Sequence, residues 1–318
     1  MTNLASRTQR YDGGHSGADR LRRRAEWAFL AVNRRIWPRL PERVRSLHAV
    51  QAYGRWLHTM ISRNADREMY LGTLFLRNRP ALELMRRLFS DRPQGSSVRV
   101  AVLGCSVGVE VYSIMWTLRR ARPDLTVVID AVDISPEVLA IAREGVYGPQ
   151  TTDTVHESVF ERLSDAELLE MFDWNGDQAR VKAELRDGIT WRLGDASDPR
   201  LVEKLGPKEL VVANNFLCHM DAPSAERCLR NFAGLTTPDG YLFVSGVDLD
   251  VRTKVATDLG WEPVPELMAE IHDGDPLVRA DWPWHWWGLE PLDRKRNDWQ
   301  TRYASVFTRG RRGPREPS

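Results

Sequence analysis

Two acids and two glycines carry the first chemical clue. Gly104 and Gly108 stand in V-A-V-L-G-C-S-V-G-V-E-V-Y-S, Val100 to Ser113, and Glu110 follows the second of them. Asp133 closes another apolar run in A-V-D-I-S. A glycine turn between strand and helix brings backbone close to a ligand, and an acid ending the next strand can accept from both ribose hydroxyls. Glu110 would repel a phosphate at the turn, because two desolvated negative charges oppose each other's ionisation. The carboxylates suit a ligand that joins a ribose to cationic groups. S-adenosylmethionine (SAM), with its ammonium, sulfonium and adenosine, is such a cofactor.

Those residues need a parallel sheet to hold them. Short apolar runs rich in valine and isoleucine occur at Val98–Gly104, Thr126–Asp133, Ile189–Leu193, Leu210–Asn214, Tyr241–Gly246 and Tyr303–Thr308. Helical segments separate most of them, which predicts an α/β fold: a sheet covered by helices on both faces, with ligands at the carboxyl ends of its strands. The stretch from Gly148 to Gly188 is too long for a plain connection. It carries a helix at Ser164–Phe172 and then Asn175-Gly176, a hairpin signal, so a small β-subdomain is expected at about 149–188. Upstream the period is helical. Trp27, Leu30 and Ala31 share a face, Pro38 and Pro41 interrupt, a second helix carries Val44 through Met60, and a third begins at Pro80. Residues 20–97 therefore read as a helical domain closed by the linker D-R-P-Q-G-S-S, and residues 98–308 as the α/β domain. Residues 1–19 and 309–318 read as disordered tails.

The composition, 42% hydrophobic and 28% charged over 318 residues, is that of a globular protein. No apolar run reaches the ~20 residues of a membrane helix. Residues 1–19 lack the apolar core of a signal peptide. Cys105, Cys218 and Cys228 are too scattered for a disulfide framework or a zinc site. A cytoplasmic protein without a metal is the expectation. The charge is uneven: residues 1–97 hold nineteen arginines, no lysine and eight acids, a net of +11, against −10 for the rest. Either the basic part packs on the acidic part, or it presents a basic surface to an acidic partner.

The motifs resemble the CheR-type chemotaxis receptor methyltransferases. G-C-S-V-G-V-E-V-Y-S followed by A-V-D-I-S-P-E-V-L-A-I-A-R-E-G-V-Y is similar to that family's G-E-E-P-Y-S turn and T-D-I-x-x-x-V-L-x-x-A-R-x-G-x-Y segment. T-L-F-L-R, Thr73 to Arg77, resembles its T-x-F-F-R. N-N-F-L-C-H-M-D, Asn214 to Asp221, stands where the family has C-R-N-V-x-I-Y-F, and P-D-G-Y-L-F-V-S-G matches its P-G-G-x-L-F-x-G-x strand. The resemblance spans roughly Ala65 to Gly246. It implies a class I, Rossmann-like SAM-methyltransferase sheet preceded by a helical domain. It also implies roles: Thr73 and Arg77 beside the cofactor with Arg77 near the methyl-transfer centre, Glu110 on the ammonium, Asp133 on the ribose. Gly104 belongs to the cofactor turn, Asp195 and Ala196 fall where the family meets adenine, and Asn214 and Asn215 replace its Arg-Asn. Val109, Val111 and Leu71 depart from the pattern, and His219 stands where the family has a tyrosine.

Methyl transfer from a sulfonium is an in-line displacement, so alignment and desolvation are what the protein supplies. A carboxylate acceptor needs no base, and Arg77 could orient it; a hydroxyl or amine acceptor would gain from His219 as general base. Beyond Gly246 the chain leaves the family pattern. W-P-W-H-W-W, Trp282 to Trp287, suggests an aromatic lid within an insertion at about 247–300, with His272, Trp284 and Trp286 as candidate substrate-pocket residues. His272 with Asp273 and Asp275 is too sparse for a metal site. The expected activity is O-methylation of a carboxylate on an acidic protein or a small molecule, not nucleic acid. A specialised small-molecule methyltransferase and a non-catalytic SAM-binding scaffold are the alternatives.

Overall fold

The computed structural model describes residues 17–64, 72–148, 151, 158–275, 282–287 and 289–309; most of both expected tails lies outside them. The chain divides into two compact units, Met1–Asn64 with Pro283–His285 and Ala65–Trp282 with Trp286–Ser318.

The first unit is helical: α1 (Gly17–Ile36), α2 (Glu42–Arg45) and α3 (His48–Asn64). Pro38 cannot continue an α-helix, so α1 gives way to a 3-10 turn at Trp37–Arg39. The helix expected across Val44–Met60 is two helices, because the chain turns at Ser46–Leu47. Leu30, Trp37 and Leu57 are buried. Phe29 meets Trp56 edge-on at 5.7 Å, and Tyr53 stacks on Trp56 at 5.7 Å.

The second unit opens with α4 (Arg79–Leu88), then β1 (Ser97–Leu103), α5 (Val109–Ala121), β2 (Thr126–Asp133), α6 (Pro136–Glu144) and β3 (Val146–Tyr147). There follow α7 (Asp165–Met171), β4 (Phe172–Asn175), β5 (Gln178–Val181), α8 (Ala183–Arg186), β6 (Ile189–Leu193), α9 (Pro199–Leu205) and β7 (Lys208–Asn214). It ends with α10 (Ala222–Leu235), β8 (Thr236–Ser245), α11 (Leu249–Leu259), β9 (Trp261–Pro263), α12 (Met268–Asp273), α13 (Trp299–Tyr303) and β10 (Val306–Arg309). Although a boundary was expected near Ser97, α4 belongs to this unit: Leu84, Met85 and Phe89 are buried in the core that α5 shares.

Seven strands form one sheet in the order β6-β2-β1-β7-β8-β10-β9. The pairs from β6 to β8 are parallel, and β10 runs antiparallel to both its neighbours. Strand order reverses between β1 and β7, which opens the ligand crevice of such sheets at their carboxyl ends. One face packs on α4, α5 and α6 through Val100, Val102 and Ile114; the other packs on α9, α10 and α11 through Ala101, Val211 and Phe232. This is the class I, Rossmann-like arrangement.

Two features differ from the sequence reading. The C-terminal run is shorter than expected, since Tyr303 ends α13 and the strand starts at Val306. Much of the expected insertion is sheet and cover, because α11 buries Val255 and Ala256 and β9 adds an edge strand with Trp261 buried. A second sheet has the order β3-β5-β4, with β4 and β5 inside the expected stretch and β3 just before it. Asn175 pairs with Gln178, so the tight loop is Gly176–Asp177, with Gly176 at φ +63°. Phe75 anchors its underside, 5.3 Å from Tyr147 and 5.0 Å from Phe172.

Candidate active site

The β1–α5 turn and the end of β2 are tied to each other through Asp133. One of its oxygens accepts from the Ser106 N–H at 2.8 Å, the other from the Ser135 N–H at 3.0 Å. Ser106 adopts φ +48°, a strained left-handed conformation that aims its N–H at the acid. Each carboxylate oxygen keeps a second acceptor site, so the clamp leaves Asp133 able to take hydroxyl donors. Gly104 is at φ +65°, and a β-carbon there would come 2.6 Å from the Phe216 ring, so glycine is needed for packing as well as for the turn. The β6 end joins this corner, with the Gly194 N–H donating to the Asp133 carbonyl at 2.9 Å. Asp195 follows it, exposed, its side chain accepting from the Ser197 N–H at 2.8 Å. The Ala196 carbonyl accepts from Asn231 Nδ2 at 3.1 Å.

Glu110 lies in the first turn of α5, where the helix dipole favours an anion. Asn214 Nδ2, at the end of β7, donates to its Oε1 at 2.8 Å. Ser245 Oγ, at the end of β8, donates to Asn214 Oδ1 at 2.9 Å and so fixes which way the amide points. Burial pushes the Glu110 carboxyl up from its ordinary value; the Asn214 hydrogen bond and the nearby Arg77 cation pull the other way. Asn215 turns the chain at φ +60°, pressed against Gly246, where any β-carbon would fall 2.5 Å from the Asn215 Cα. Burial, with the charges of Asp133 and Glu110, pushes the Cys105 thiol well up, so it is a packing thiol and no nucleophile.

Arg77 comes from the irregular segment before α4, which also carries Thr73. The segment's backbone is held from two sides, by α5 and by the stretch before α7. Phe75 N–H donates to the Val159 carbonyl at 2.9 Å, Leu76 N–H (φ +51°) to Ser113 Oγ at 3.1 Å, and Arg162 Nη1 to the Arg77 carbonyl at 2.6 Å. Arg77 Nε donates to Asp275 Oδ2 at 2.5 Å and Nη1 reaches the Gly72 carbonyl at 3.5 Å. Nothing in the sequence marks Asp275 as a partner of Arg77, 198 residues away, since the pair forms only through tertiary packing. Among the described residues no group of His, Cys, Asp and Glu could hold a metal ion.

His219 ends the 3-10 turn Leu217–His219 after β7, its ring 6.5 Å from Trp286 in an edge contact. Trp286 in turn meets Trp287 at 4.3 Å. The other two expected pocket residues have different neighbours. Trp284 belongs to the helical unit, edge-on to Trp37 at 6.5 Å. His272 is 2% exposed, 5.1 Å from the Tyr303 ring, with Nε2 2.9 Å from the Glu290 carbonyl, which is a packing position. The structure thus brings Arg77, Glu110 and Asn214 together, and Asp133 with the turn and the β6 end. The contacts described for His272 are with the Tyr303 ring and the Glu290 carbonyl.

A part-buried carboxylate at a helix start, with a neutral amide as its hydrogen-bond partner, fits a cationic ligand group, and the clamped Asp133 fits a diol. A SAM molecule carries both. Relatives agree with that chemistry. The family model described as "CheR methyltransferase, SAM binding domain" matches residues 72–253. "Probable biofilm formation methyltransferase WspC" of Pseudomonas putida is 28% identical over 189 residues, 58% of this chain and 42% of that protein. "Chemotaxis protein methyltransferase" of Salmonella typhimurium is 28% identical over 224 residues, 65% of this chain and 73% of that protein. "Probable chemotaxis protein methyltransferase" of Rhizobium etli is 30% identical over 175 residues, 53% of this chain and 60% of that protein. The match thus spans less than half the length of the WspC proteins. With more than half of its length matched by the family model, from the Arg77 segment through β8 and into α11, the chain belongs to the CheR methyltransferase family and carries that family's SAM-binding domain.

Proposed function

We propose that this protein transfers the methyl group of SAM to a carboxylate oxygen, forming a methyl ester on an acidic protein acceptor. The observation that carries the reading is Arg77, a cation beside Glu110 whose Nε is engaged by Asp275 while Nη2 donates to no described residue. An end-on guanidinium matches a carboxylate acceptor in charge and in geometry. Bound SAM would supply an electrophilic methyl carbon on a sulfonium. In this reading Glu110 holds the ammonium, Asp133 the ribose diol, and Asp195 and Ala196 border the adenine. Thr73, Asn214 and Asn215 line the path between them.

The acceptor carboxylate takes the methyl group in line, a carbon–oxygen bond forming as the carbon–sulfur bond breaks. No proton moves. An anion and a cation become two neutral products, so a site that sheds water favours the reaction without a general base. The acidic acceptor is supported by the arginine-rich first 97 residues and by the chemotaxis enzymes among the relatives.

The test is incubation of the protein with methyl-tritiated SAM and an extract of acidic proteins, followed by mild alkali. Release of volatile labelled methanol is expected, and it should persist in His219→Ala, since an ionised acceptor needs no base. Alkali-stable label, or label lost with His219, would instead assign a hydroxyl or amine acceptor.

A further inference from the structure

We infer that Asp275 is a positioning residue: as the counter-ion of Arg77 it keeps the guanidinium off Glu110, leaving that carboxylate to the ammonium of the cofactor. The inference rests on the assignment of Glu110 to the cofactor. Arg77 is close enough to Glu110 to favour the ionised carboxylate, and both sit in partly desolvated surroundings. A guanidinium without another anion would take Glu110 as its partner and compete with any cationic ligand there.

Asp275 is built to prevent this. It follows α12, whose end is anchored to the residue after Arg77: Asn78 Nδ2 donates to the Ile271 carbonyl at 2.9 Å while its Oδ1 caps α4 at the Ala81 N–H, 3.1 Å away. Gly274 allows the approach, since a β-carbon there would lie 2.5 Å from Asn78 Oδ1. The Arg77 and Asp275 side chains are 22% and 12% exposed, so their 2.5 Å bond is only partly screened. Arg162 stands 3.9 Å from the other Asp275 oxygen and also holds the Arg77 carbonyl. Residue 275 lies beyond the residues matched by the family model. The charged and titratable groups recorded against Glu110 among the described residues are Arg77 from the segment before α4 and the Cys105 thiol in the turn.

The experiment is calorimetric titration of SAM into the unaltered protein, Asp275→Asn, Arg77→Ala and the double variant, each over a range of pH. Asp275→Asn should weaken SAM by about tenfold at neutral pH. It should also move the acid limb of binding to lower pH, because Arg77 on Glu110 stabilises the anion. In the Arg77→Ala background the same change should do nothing. Equal weakening in both backgrounds, or an unmoved acid limb, would reduce Asp275 to a structural residue and end the inference. Asp275→Ser provides a second uncharged variant with the same expected shifts should Asp275→Asn unfold. If the unaltered protein binds no SAM, the assignment of Glu110 falls and the inference with it; normal binding without coupling overturns the inference alone.

Discussion

The carboxyl ends of β1, β2 and β7 and the layer that follows β8 handle buried charge in opposite ways. At the strand ends each acid is held by a few neutral donors and keeps acceptor capacity: Asp133 by two backbone N–H groups, Glu110 by the Asn214 amide. In the C-terminal layer the charges close on themselves. Arg252, 1% exposed, donates to the carbonyls of Val244 and Arg302 at 2.9 and 2.8 Å. Arg302 donates to Glu290 and Asp250, each at 2.6 Å, and the Tyr303 hydroxyl donates to the same Glu290 oxygen at 2.8 Å. Burial, followed by the neighbouring Arg302 cation, brings Arg252 down to about 9. Burial also opposes the Arg302 charge, but Glu290 and Asp250 more than offset it. An open set of acids can accept a ligand; a closed set can only hold elements together.

The comparison predicts that charge removal affects binding in one region and stability in the other. The largest effect is expected for Glu290→Ala. It leaves Arg302 buried beside Arg252 with the exposed Asp250 as its remaining ion-pair partner among the described residues, and breaking a buried pair this way costs about 3–5 kcal/mol. Denaturant unfolding should show that loss, with SAM affinity of the folded fraction unchanged. A parallel fall in affinity would mean the two regions are one.

Glu110→Gln is the converse. If Glu110 holds the ammonium as proposed, losing its charge should weaken SAM by about 2–3 kcal/mol, read by titration calorimetry. Stability should hold or rise, because burial disfavours the ionised carboxyl and glutamine still accepts from Asn214. The sign of the pH dependence follows. The folded carboxyl titrates above its ordinary 4.5, and its protonated form has no attraction for an ammonium. SAM affinity of the unaltered protein should therefore fall with falling pH before an ordinary glutamate would protonate, and Glu110→Gln should flatten that limb.

The same division explains how much could be read from the sequence. Glu110 and Asp133 were legible in position because they stand at fixed offsets from a glycine turn and a strand end, and the observed β2 and β6 match the expected runs to the residue. Nothing local announces that Asp275 meets Arg77, or that Glu290 meets Arg302, since these pairs form only when distant segments pack. β9 escaped notice because three residues give no period. The tryptophan run was visible, but its division between two units, Trp284 with Trp37 and Trp286 with His219, depends on tertiary packing that composition does not encode.

The finest test of the open set is Ser245→Ala. Its hydroxyl touches neither Glu110 nor Arg77 in any recorded bond; it acts by donating to Asn214 Oδ1, so that Nδ2 faces the acid. Without it the amide loses one hydrogen bond, a cost of about 1 kcal/mol, and gains freedom to turn its oxygen toward Glu110. That would weaken the one neutral donor that favours the ionised carboxyl, and its pKa would rise further. SAM affinity should drop only a few-fold at neutral pH, but its acid limb should move to higher pH, opposite to the shift expected for Asp275→Asn. Two variants displacing one limb in opposite directions would identify the titrating group as Glu110. A shift in the same direction for both would mean that the limb belongs to another residue and that the strand-end acids are not an independent set.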